Sequence, residues 1–307
     1  MEIFEKVRLI QKLSGYSQEK LAQELGVSFA TLNSWINSRS IPRQKAKYKI
    51  DDMLSKYTGG KLIPENELEA KKQFLLNKIP KNKNLLEMIL KSPDIYDQFI
   101  LSLTFNTNKI EGSSLTEPET AAILFDNIAL PDKNIIEHME VKNHQAALQY
   151  LFKYLLVPGN KIDESLILKL HAILMNSILE NAGNYRQHGV RIVGSHVPTA
   201  NHLKIPIVMK DLIDDIENIK MDIISKASII HSRFEQIHPF SDGNGRIGRL
   251  LLHAMFLQYN LPPAIIKQED KRLYYTYLQK AQLSEDYSLL TDFICDALLF
   301  SFQKIKN

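Results

Sequence analysis

Apolar residues recur at helical intervals along most of the chain. Ile223, Ala227 and Ile230 are spaced by four and three residues, which places their side chains on one face of an α-helix. The stretch from Leu250 to Tyr259 follows the same pattern. Further helices are predicted at residues 3–13, 17–25, 28–35, 94–111, 135–141, 146–156 and 163–179. The chain is therefore predicted to be mostly α-helical.

One segment departs from helical spacing. Within residues 183–198, Val190 and Ile192 are separated by one residue and flanked by glycines. Alternation with a period of two, bounded by glycine, predicts a short β-hairpin. This is the one convincing strand signal in the sequence.

Two interruptions divide the chain. Thr58-Gly59-Gly60 ends the first helical region, because consecutive glycines disfavour a helix. Residues 61–93 contain three prolines and many lysines, which favours a linker with one or two short helices. The predicted domains are residues 1–60, the linker 61–93 and a larger domain at 94–307.

The small domain has the pattern of a helix-turn-helix. Ser17 is a suitable N-cap for its first helix, Gly26 can end that helix, and Ser28 can cap the second. Leu32 and Trp35 form the inward face of the second helix. Two short helices joined by a glycine-containing turn are typical of this motif.

The charge of the chain is unevenly distributed. The formal net charge is +3, but residues 1–61 hold eleven Lys and Arg against six Asp and Glu, while the remainder holds 27 against 29. A basic excess confined to the small domain favours a polyanion partner, and therefore double-stranded DNA. The alternative is a helical module that binds another protein.

Composition narrows the expected location. Hydrophobic residues make up 44% of the chain, and no apolar run approaches the roughly 20 residues that span a bilayer. The first residues lack the basic and apolar stretches of a secretory signal. Cys295 has no second cysteine to pair with and lies in an apolar run, which favours a core residue over a reactive thiol. We expect a cytoplasmic protein with no membrane partner.

The densest chemistry lies in residues 238–249, which read HPFSDGNGRIGR between two predicted helices. Gly243 and Gly245 allow the main chain to approach phosphate oxygens, and the amide of Asn244 can hold the turn. The segment leads into a helix N-terminus, where N–H groups without helical partners favour an anion. These features predict a phosphate-binding loop.

Ionisable side chains complete a site for phosphoryl or nucleotidyl transfer. Arg246 and Arg249 lie three residues apart on one helical face and can donate paired hydrogen bonds to phosphates. Asp242 is an oxygen ligand suited to Mg²⁺ between two phosphates. His238, with an ordinary pKa of about 6.5, can accept the proton of an attacking hydroxyl.

This loop resembles the signature of Fic-domain proteins, His-x-Phe-x-Asp-Gly-Asn-Gly-Arg-x-x-Arg, at every specified position. The resemblance implies a helical bundle with a β-hairpin flap that transfers AMP from Mg-ATP to a Ser, Thr or Tyr hydroxyl of a target protein or of itself. It implies His238 as the catalytic base and Asp242 as the metal ligand. The implied nucleotide-binding residues of the loop are Asp242, Gly243, Asn244, Gly245, Arg246 and Arg249.

Residues 107–112, Thr-Asn-Lys-Ile-Glu-Gly, resemble the inhibitory motif of the same family and end a predicted helix near residues 94–112. The resemblance implies that Glu111 pairs with Arg249 and occupies the place of the nucleotide γ-phosphate. A carboxylate there competes for the donors that a phosphate needs. Taken alone, Glu111 is also compatible with a surface charge at a helix end. Some relatives with this glutamate also remove AMP, which the sequence leaves open.

Two further segments are similar to nucleotide-contacting regions of Fic proteins. Residues 183–198 resemble the flap over the active site, whose edge can add a strand of the target. Tyr274 and Tyr275 match the paired tyrosines that line the base, although aromatic residues at helical spacing also occur in cores. The implied flap contacts are Val193, Gly194, Ser195 and His196.

Residues 5–56 resemble the repressor-like helix-turn-helix domains of bacteria, the XRE type. In that family the second helix enters the major groove of DNA. The implied base contacts are Ser28, Phe29, Ala30 and Asn33, and the implied phosphate contacts are Gln18, Arg39, Arg43 and Lys45.

The sequence thus predicts a protein adenylyltransferase that uses ATP and Mg²⁺, is inhibited by its own Glu111 and carries a DNA-binding domain. The alternative is a DNA-binding transcriptional regulator whose Fic region senses a nucleotide or a partner. A homodimer is compatible with either function.

Overall fold

The computed structural model describes residues 1–192, 194–195 and 197–306. Within these residues the chain forms α-helices, two 3-10 turns and one π-helical turn, and no β-strand. The helices are α1 Ile3–Ser14, α2 Gln18–Leu25, α3 Phe29–Ile36, α4 Gln44–Thr58, α5 Glu65–Leu76, α6 Leu85–Lys91, α7 Pro93–Glu111, α8 Glu117–Ala121, α9 Ile135–Leu156, α10 Glu164–Leu174, α11 Ile205–Asn218, α12 Ile223–Ile237, α13 Asn244–Gln258, α14 Lys271–Ser284 and α15 Ser288–Lys306. The π-helical turn spans Ala122–Asp126.

Helix ends follow the capping signals of the sequence. The Ser17 hydroxyl accepts a hydrogen bond from the N–H of Lys20 at 3.1 Å, and Ser28 caps α3 in the same way. Gly26 and Gly112 end α2 and α7 with φ of 71° and 109°, a left-handed conformation that glycine adopts readily. The two segments predicted between residues 135 and 156 form the single helix α9.

The centre of the fold is the helical hairpin of α12 and α13. Ile224, Ile230 and Phe234 on α12 and Leu252 and Phe256 on α13 are fully buried. Helices α7 and α9 pack across α13, while α11, α14 and α15 pack against α12. The connection at residues 238–243 is consequently held at one end of the most buried helix pair. None of the helices in the described ranges is both long and apolar enough to cross a membrane.

Residues 61–93 are packed into this bundle. Helix α5 lies along α15, and its Leu75 is fully buried. Lys71 Nζ lies 2.5 Å from Asp292 Oδ1, and Lys72 Nζ lies 2.8 Å from Asp222 Oδ2. The sequence suggested a linker here because the acidic partners of these lysines, Asp292 and Asp222, lie far away in the sequence. Cys295, on α15, is buried in the core as expected.

The helix-turn-helix formed by α1 to α4 rests on α14. Arg272 of α14 donates hydrogen bonds to the carbonyls of Lys12 and Leu13 at the end of α1. Gly15 leaves room for this guanidinium, since a Cβ at Gly15 would lie 2.7 Å from Arg272 Cζ. The two units of the chain therefore meet on one helix.

The β-hairpin predicted at residues 183–198 is not shown, because its described residues form turns and extended segments without a strand. Side-chain hydrogen bonds link residues 186–190 to residues 199–200 instead. Thr199 Oγ1 donates to the Val190 carbonyl at 2.8 Å, and Arg186 donates to the carbonyls of His188 and Ala200, both at 2.6 Å.

Candidate active site

The loop between α12 and α13 is closed by Asn244. Its Oδ1 accepts from the Phe240 N–H and its Nδ2 donates to the Phe240 carbonyl, both at 2.8 Å. Gly243 has φ of 78°, and a Cβ there would lie 2.9 Å from Met175 Sδ. Since α13 begins at Asn244, the first N–H groups of this helix face the loop and can receive an anion.

His238 caps the end of α12 with φ of 52°, which is rare for a residue other than glycine. Its Nδ1 lies 3.2 Å from the Glu235 carbonyl. Because a carbonyl only accepts, Nδ1 carries the proton and Nε2 keeps the lone pair that a general base needs. Burial lowers the pKa of His238, the Glu235 carbonyl opposes this and Arg186 adds to it, with a net lowering. The imidazole is therefore neutral at pH 7.

Arg186 connects His238 to the segment that follows α10. Its Nε donates to the His238 carbonyl at 2.7 Å, while its other nitrogens hold the carbonyls of His188 and Ala200. The side chain is one of the largest fully buried groups in the described chain. The sequence pattern did not indicate this role. A single arginine in a glycine-containing loop carries no mark that separates a buried hub from a surface charge.

His171 supports the loop from α10. Its ring stacks on Phe240 with centroids 3.8 Å apart, its Nδ1 accepts from Gly183 N–H at 2.8 Å, and its Nε2 donates to the Asp242 carbonyl at 3.1 Å. Burial lowers the pKa of His171 to about 4, so the ring stays neutral in this position.

Helix α7 brings Glu111 to Arg249, the pair predicted from the inhibitory motif. Arg249 Nη2 donates to Glu111 Oε1, and Arg249 Nε donates to Thr107 Oγ1 at 2.7 Å. Burial acts to raise the pKa of Glu111, but the charge and hydrogen bond of Arg249 outweigh it and lower that pKa. A Cβ on Gly245 would collide with the Glu111 carboxylate, which therefore lies directly over the start of α13.

Asp242 fits a magnesium ion that arrives with phosphates. Its side chain is 63% exposed, and its Oδ2 lies 3.8 Å from Arg246 Nη2, too far for a hydrogen bond. No group of three or more His, Cys, Asp or Glu ligands occurs in the part of the chain that the structure describes. Mg²⁺ often binds through one or two carboxylates together with substrate phosphates. A single accessible carboxylate beside an anion-binding helix end meets that requirement.

Comparison with known proteins assigns both units of the chain. Residues 7–55 match a helix-turn-helix family, and residues 161–256 match the Fic/DOC family. The chain contains a Fic domain.

The curated relatives of this Fic domain include Protein adenylyltransferase Fic of Nematostella vectensis, which is 34% identical over 180 residues, or 58% of this chain and 42% of the relative. Protein adenylyltransferase fic-1 of Caenorhabditis briggsae is 36% identical over 187 residues, or 59% of this chain and 36% of the relative. The chain thus spans less than half the length of these relatives.

Solved structures show the same fold. A Fic family protein from Desulfovibrio desulfuricans G20 superposes with a TM-score of 0.63 at 25% identity, over 79% of this chain and 74% of that chain. Fic-1 from Caenorhabditis elegans superposes with a TM-score of 0.67 at 23% identity, over 94% of this chain and 84% of that chain.

The two tyrosines of α14 in the Fic domain differ in their surroundings. Tyr274 is fully buried, and its hydroxyl lies 2.8 Å from His231 Nε2. Tyr274 is therefore a core residue and offers no ring face to a nucleotide base, contrary to the sequence prediction. Tyr275 is 38% exposed and packs at 5.1 Å from the ring of Tyr274, so it is the tyrosine that remains available for stacking.

The four predicted flap contacts are only partly placed. Val193 and His196 lie outside the described residues. Gly194 is exposed with φ of 77°, and the Ser195 hydroxyl accepts from the Val197 N–H at 3.1 Å. The two described residues form a turn whose contact with a nucleotide remains a prediction.

The predicted DNA contacts share one property, which is accessibility. Ser28, Phe29, Ala30, Arg39, Arg43 and Lys45 are exposed, and Gln18 and Asn33 are partly exposed. Asn33 Oδ1 accepts from Asn37 Nδ2 at 2.8 Å, so a base contact through this oxygen requires that bond to be exchanged. Leu32 and Trp35 are buried, as predicted for the inward face of α3.

Glu235 is a buried carboxyl behind the loop. Its Oε1 has no hydrogen-bond partner among the described residues, and a Cβ on Gly248 would collide with it. Burial raises the pKa of Glu235 to about 8, Arg249 opposes this shift and Glu111 adds to it. Glu235 is therefore protonated at neutral pH and does not compete with Glu111 for Arg249 as a charge.

We expect Glu235→Gln to remove a pH-dependent loss of stability. The folded protein keeps a proton that an unfolded glutamate releases near pH ~4.3, so stability falls as the pH rises from there to about 8. Glutamine does not ionise. The melting temperature of the variant relative to wild type should therefore increase steadily between pH 5 and pH 8 in thermal denaturation.

Glu217→Gln is the matched control, because Glu217 is exposed and pairs with the exposed Lys161. Its difference from wild type should be small and almost independent of pH. A constant difference between wild type and Glu235→Gln across this range would contradict a neutral buried carboxyl.

Proposed function

We propose that the protein transfers AMP from Mg-ATP to a Ser, Thr or Tyr hydroxyl of a target protein or of itself. The observation that carries this proposal is the convergence of a neutral His238 with an available Nε2, an accessible Asp242 and two buried arginines at the N-terminus of α13. Its curated relatives are named as protein adenylyltransferases, which supports the same reaction.

In this reaction, His238 Nε2 accepts the proton of the target hydroxyl. The hydroxyl oxygen attacks the α-phosphorus, the bond between the α-phosphorus and the bridging oxygen breaks, and pyrophosphate leaves. Asp242 would hold the Mg²⁺, which supplies positive charge to the phosphates. The N–H groups at the start of α13 stabilise the charge that develops on the α-phosphate. Arg246 and Arg249 bind the outer phosphates.

The position of Glu111 supports autoinhibition. Its carboxylate engages Arg249 and lies over Gly245, where a nucleotide phosphate must approach the main chain. Two anions cannot share these donors without strong repulsion. ATP therefore binds weakly or in an unproductive pose until Glu111 moves. We include removal of AMP in the proposal, with the Glu111 carboxylate orienting the attacking water molecule.

We expect Glu111→Gly to raise AMP transfer by about tenfold or more, because Arg249 regains its donors for phosphate. Arg249→Ala also releases Glu111 but should stay inactive, since the phosphate has lost its donor. The measurement is the labelling of protein by ATP labelled at the α-phosphate, with Mg²⁺. Glu117→Gly, an exposed glutamate at the start of α8, is the matched control and should label at the wild-type rate. Equal labelling by wild type and Glu111→Gly would exclude inhibition by Glu111.

The pH dependence of the Glu111→Gly variant tests His238. Since burial lowers the pKa of His238, the base is already neutral at pH 7, and the rate should fall only as the pH drops below the ordinary value of about 6.5. His238→Ala should lose ~10²–10⁴-fold in rate and retain ATP binding. A rate that still rises between pH 7 and pH 8, or near-normal labelling by His238→Ala, would remove His238 from the mechanism.

We also propose that the helix-turn-helix unit binds double-stranded DNA. Its accessible α3 and the exposed Arg39, Arg43 and Lys45 support this proposal, together with the match to a helix-turn-helix family. If DNA binding proceeds without any AMP transfer, the alternative function as a nucleotide-sensing regulator is favoured. The labelling experiment above separates these two functions.

We expect Arg43→Ala or Lys45→Ala to weaken binding to all DNA sequences alike and to lower the salt dependence of binding by about one unit of slope. Asn33→Ala should instead relax sequence preference. The measurement is DNA affinity of the full chain over a series of salt concentrations, with selected and random sequences. Lys91→Ala, an exposed lysine outside the unit, is the control. Binding that ignores salt would indicate a protein partner.

A further inference from the structure

Arg246 lies between two carboxylates at the phosphate end of the site. Its Nη1 donates to Glu140 Oε1 at 2.7 Å, whereas its Nη2 lies 3.8 Å from Asp242 Oδ2. The side chain of Arg246 is 3% exposed and that of Glu140 is 20% exposed. Arg246 therefore forms its close ion pair with Glu140, and Asp242 is its more distant acidic neighbour.

A buried guanidinium needs a counter-charge, because removing one partner of such a pair leaves an uncompensated charge in a poor solvent. Asp242 lies in the loop just before α13, and at 3.8 Å its Oδ2 is within reach of a small rotation of the Arg246 side chain. Without the Glu140 carboxylate, Arg246 would turn to Asp242 and form the missing hydrogen bond there. Asp242 would then be occupied by a cation of the protein itself.

The position of Glu140 is fixed by its neighbours on α9. One turn before it, Glu137 accepts hydrogen bonds from Ser113 Oγ at 2.9 Å and from Ser114 Oγ at 3.0 Å, in the turn that follows Glu111. One turn after it, His144 Nδ1 lies 2.9 Å from Thr104 Oγ1 on α7. Helix α9 is thus tied to α7 on both sides of Glu140. These contacts fix the α9 backbone from which the Glu140 side chain reaches Arg246.

We propose that Glu140 is a positioning residue that holds Arg246 away from Asp242 and thereby keeps the Asp242 carboxylate accessible to the Mg²⁺ of Mg-ATP. This inference rests on the proposed function, in which Asp242 is the metal ligand. It assigns Glu140 a role in metal dependence, distinct from the role of Glu111 in occupying the phosphate site.

The test is Glu140→Gln in the Glu111→Gly background, which removes one charge and keeps the size of the side chain. The Mg²⁺ concentration that gives half-maximal labelling should rise by about tenfold, while the rate at saturating Mg²⁺ changes little. Calorimetry supplies a readout that needs no turnover. The affinity for ATP in the presence of a chelator should not fall, and the gain in affinity on adding Mg²⁺ should shrink.

Two further variants make the result specific. Glu140→Asp keeps the charge and should restore most of the Mg²⁺ response, while Glu217→Gln repeats the chemical change at an exposed ion pair and should leave it unchanged. If Glu140→Gln does not fold, as judged by circular dichroism, Glu140→Asp is compared with its parent in the same two assays, and a smaller shift in the same direction is expected.

A purely structural role for Glu140 would lower metal-free and metal-dependent ATP binding together, and a Mg²⁺ response equal to that of the parent would also overturn the proposal. If the Glu111→Gly parent labels no protein, the proposed transfer reaction has failed. The calorimetric comparison would still decide whether Glu140 controls the access of Mg²⁺ to Asp242.

Discussion

In the proposed function, the contact between Glu111 and Arg249 decides whether the site can accept a nucleotide. It joins the last residue of α7 to the second turn of α13, two helices that are separated by more than a hundred residues in the sequence. Thr107 holds the same guanidinium from one turn earlier on α7, so the arginine is fixed by two residues of one helix. As long as this contact persists, Arg249 directs hydrogen-bond donors at a carboxylate of the protein itself.

Three buried arginines surround the site, and the positive charge of each is compensated in a different way. Arg186 is surrounded by backbone carbonyls, Arg246 is paired with Glu140, and Arg249 is paired with Glu111. A buried cation is tolerated when hydrogen-bonding acceptors surround it, and each solution has a different consequence. The carbonyl cage fixes the geometry around His238, and the Glu140 pair fixes Arg246. In the proposed function, only the Glu111 pair exchanges with phosphate. The same physical requirement therefore produces a rigid arrangement around His238 and, in the proposed function, a response to the nucleotide at Arg249.

The sequence was most informative where function depends on local geometry. The loop at 238–249, the caps of α2 and α3 and the glutamate at the end of α7 are each defined by neighbouring residues, and the structure places them as expected. It was least informative where function depends on distant partners. No residue near Arg186 in the sequence indicates the carbonyls that it contacts. No residue near Glu140 indicates that it pairs with Arg246. The packed segment 61–93 was taken for a linker for the same reason. The hairpin was expected from the alternation of Val190 and Ile192, which does not show whether a partner strand is available.

The most direct test of the account is the pKa of the Glu111 carboxyl group, measured by carbon NMR with and without saturating Mg-ATP. Subtraction of the Glu111→Gln spectrum identifies the signal. The ion pair with Arg249 lowers this pKa in the free protein. If phosphate and carboxylate compete for Arg249, bound nucleotide should remove the ion pair, and the pKa of Glu111 should rise to or above its ordinary value of about 4.3. A pKa that stays depressed when the nucleotide site is fully occupied would show that Arg249 serves Glu111 alone, and would contradict the account.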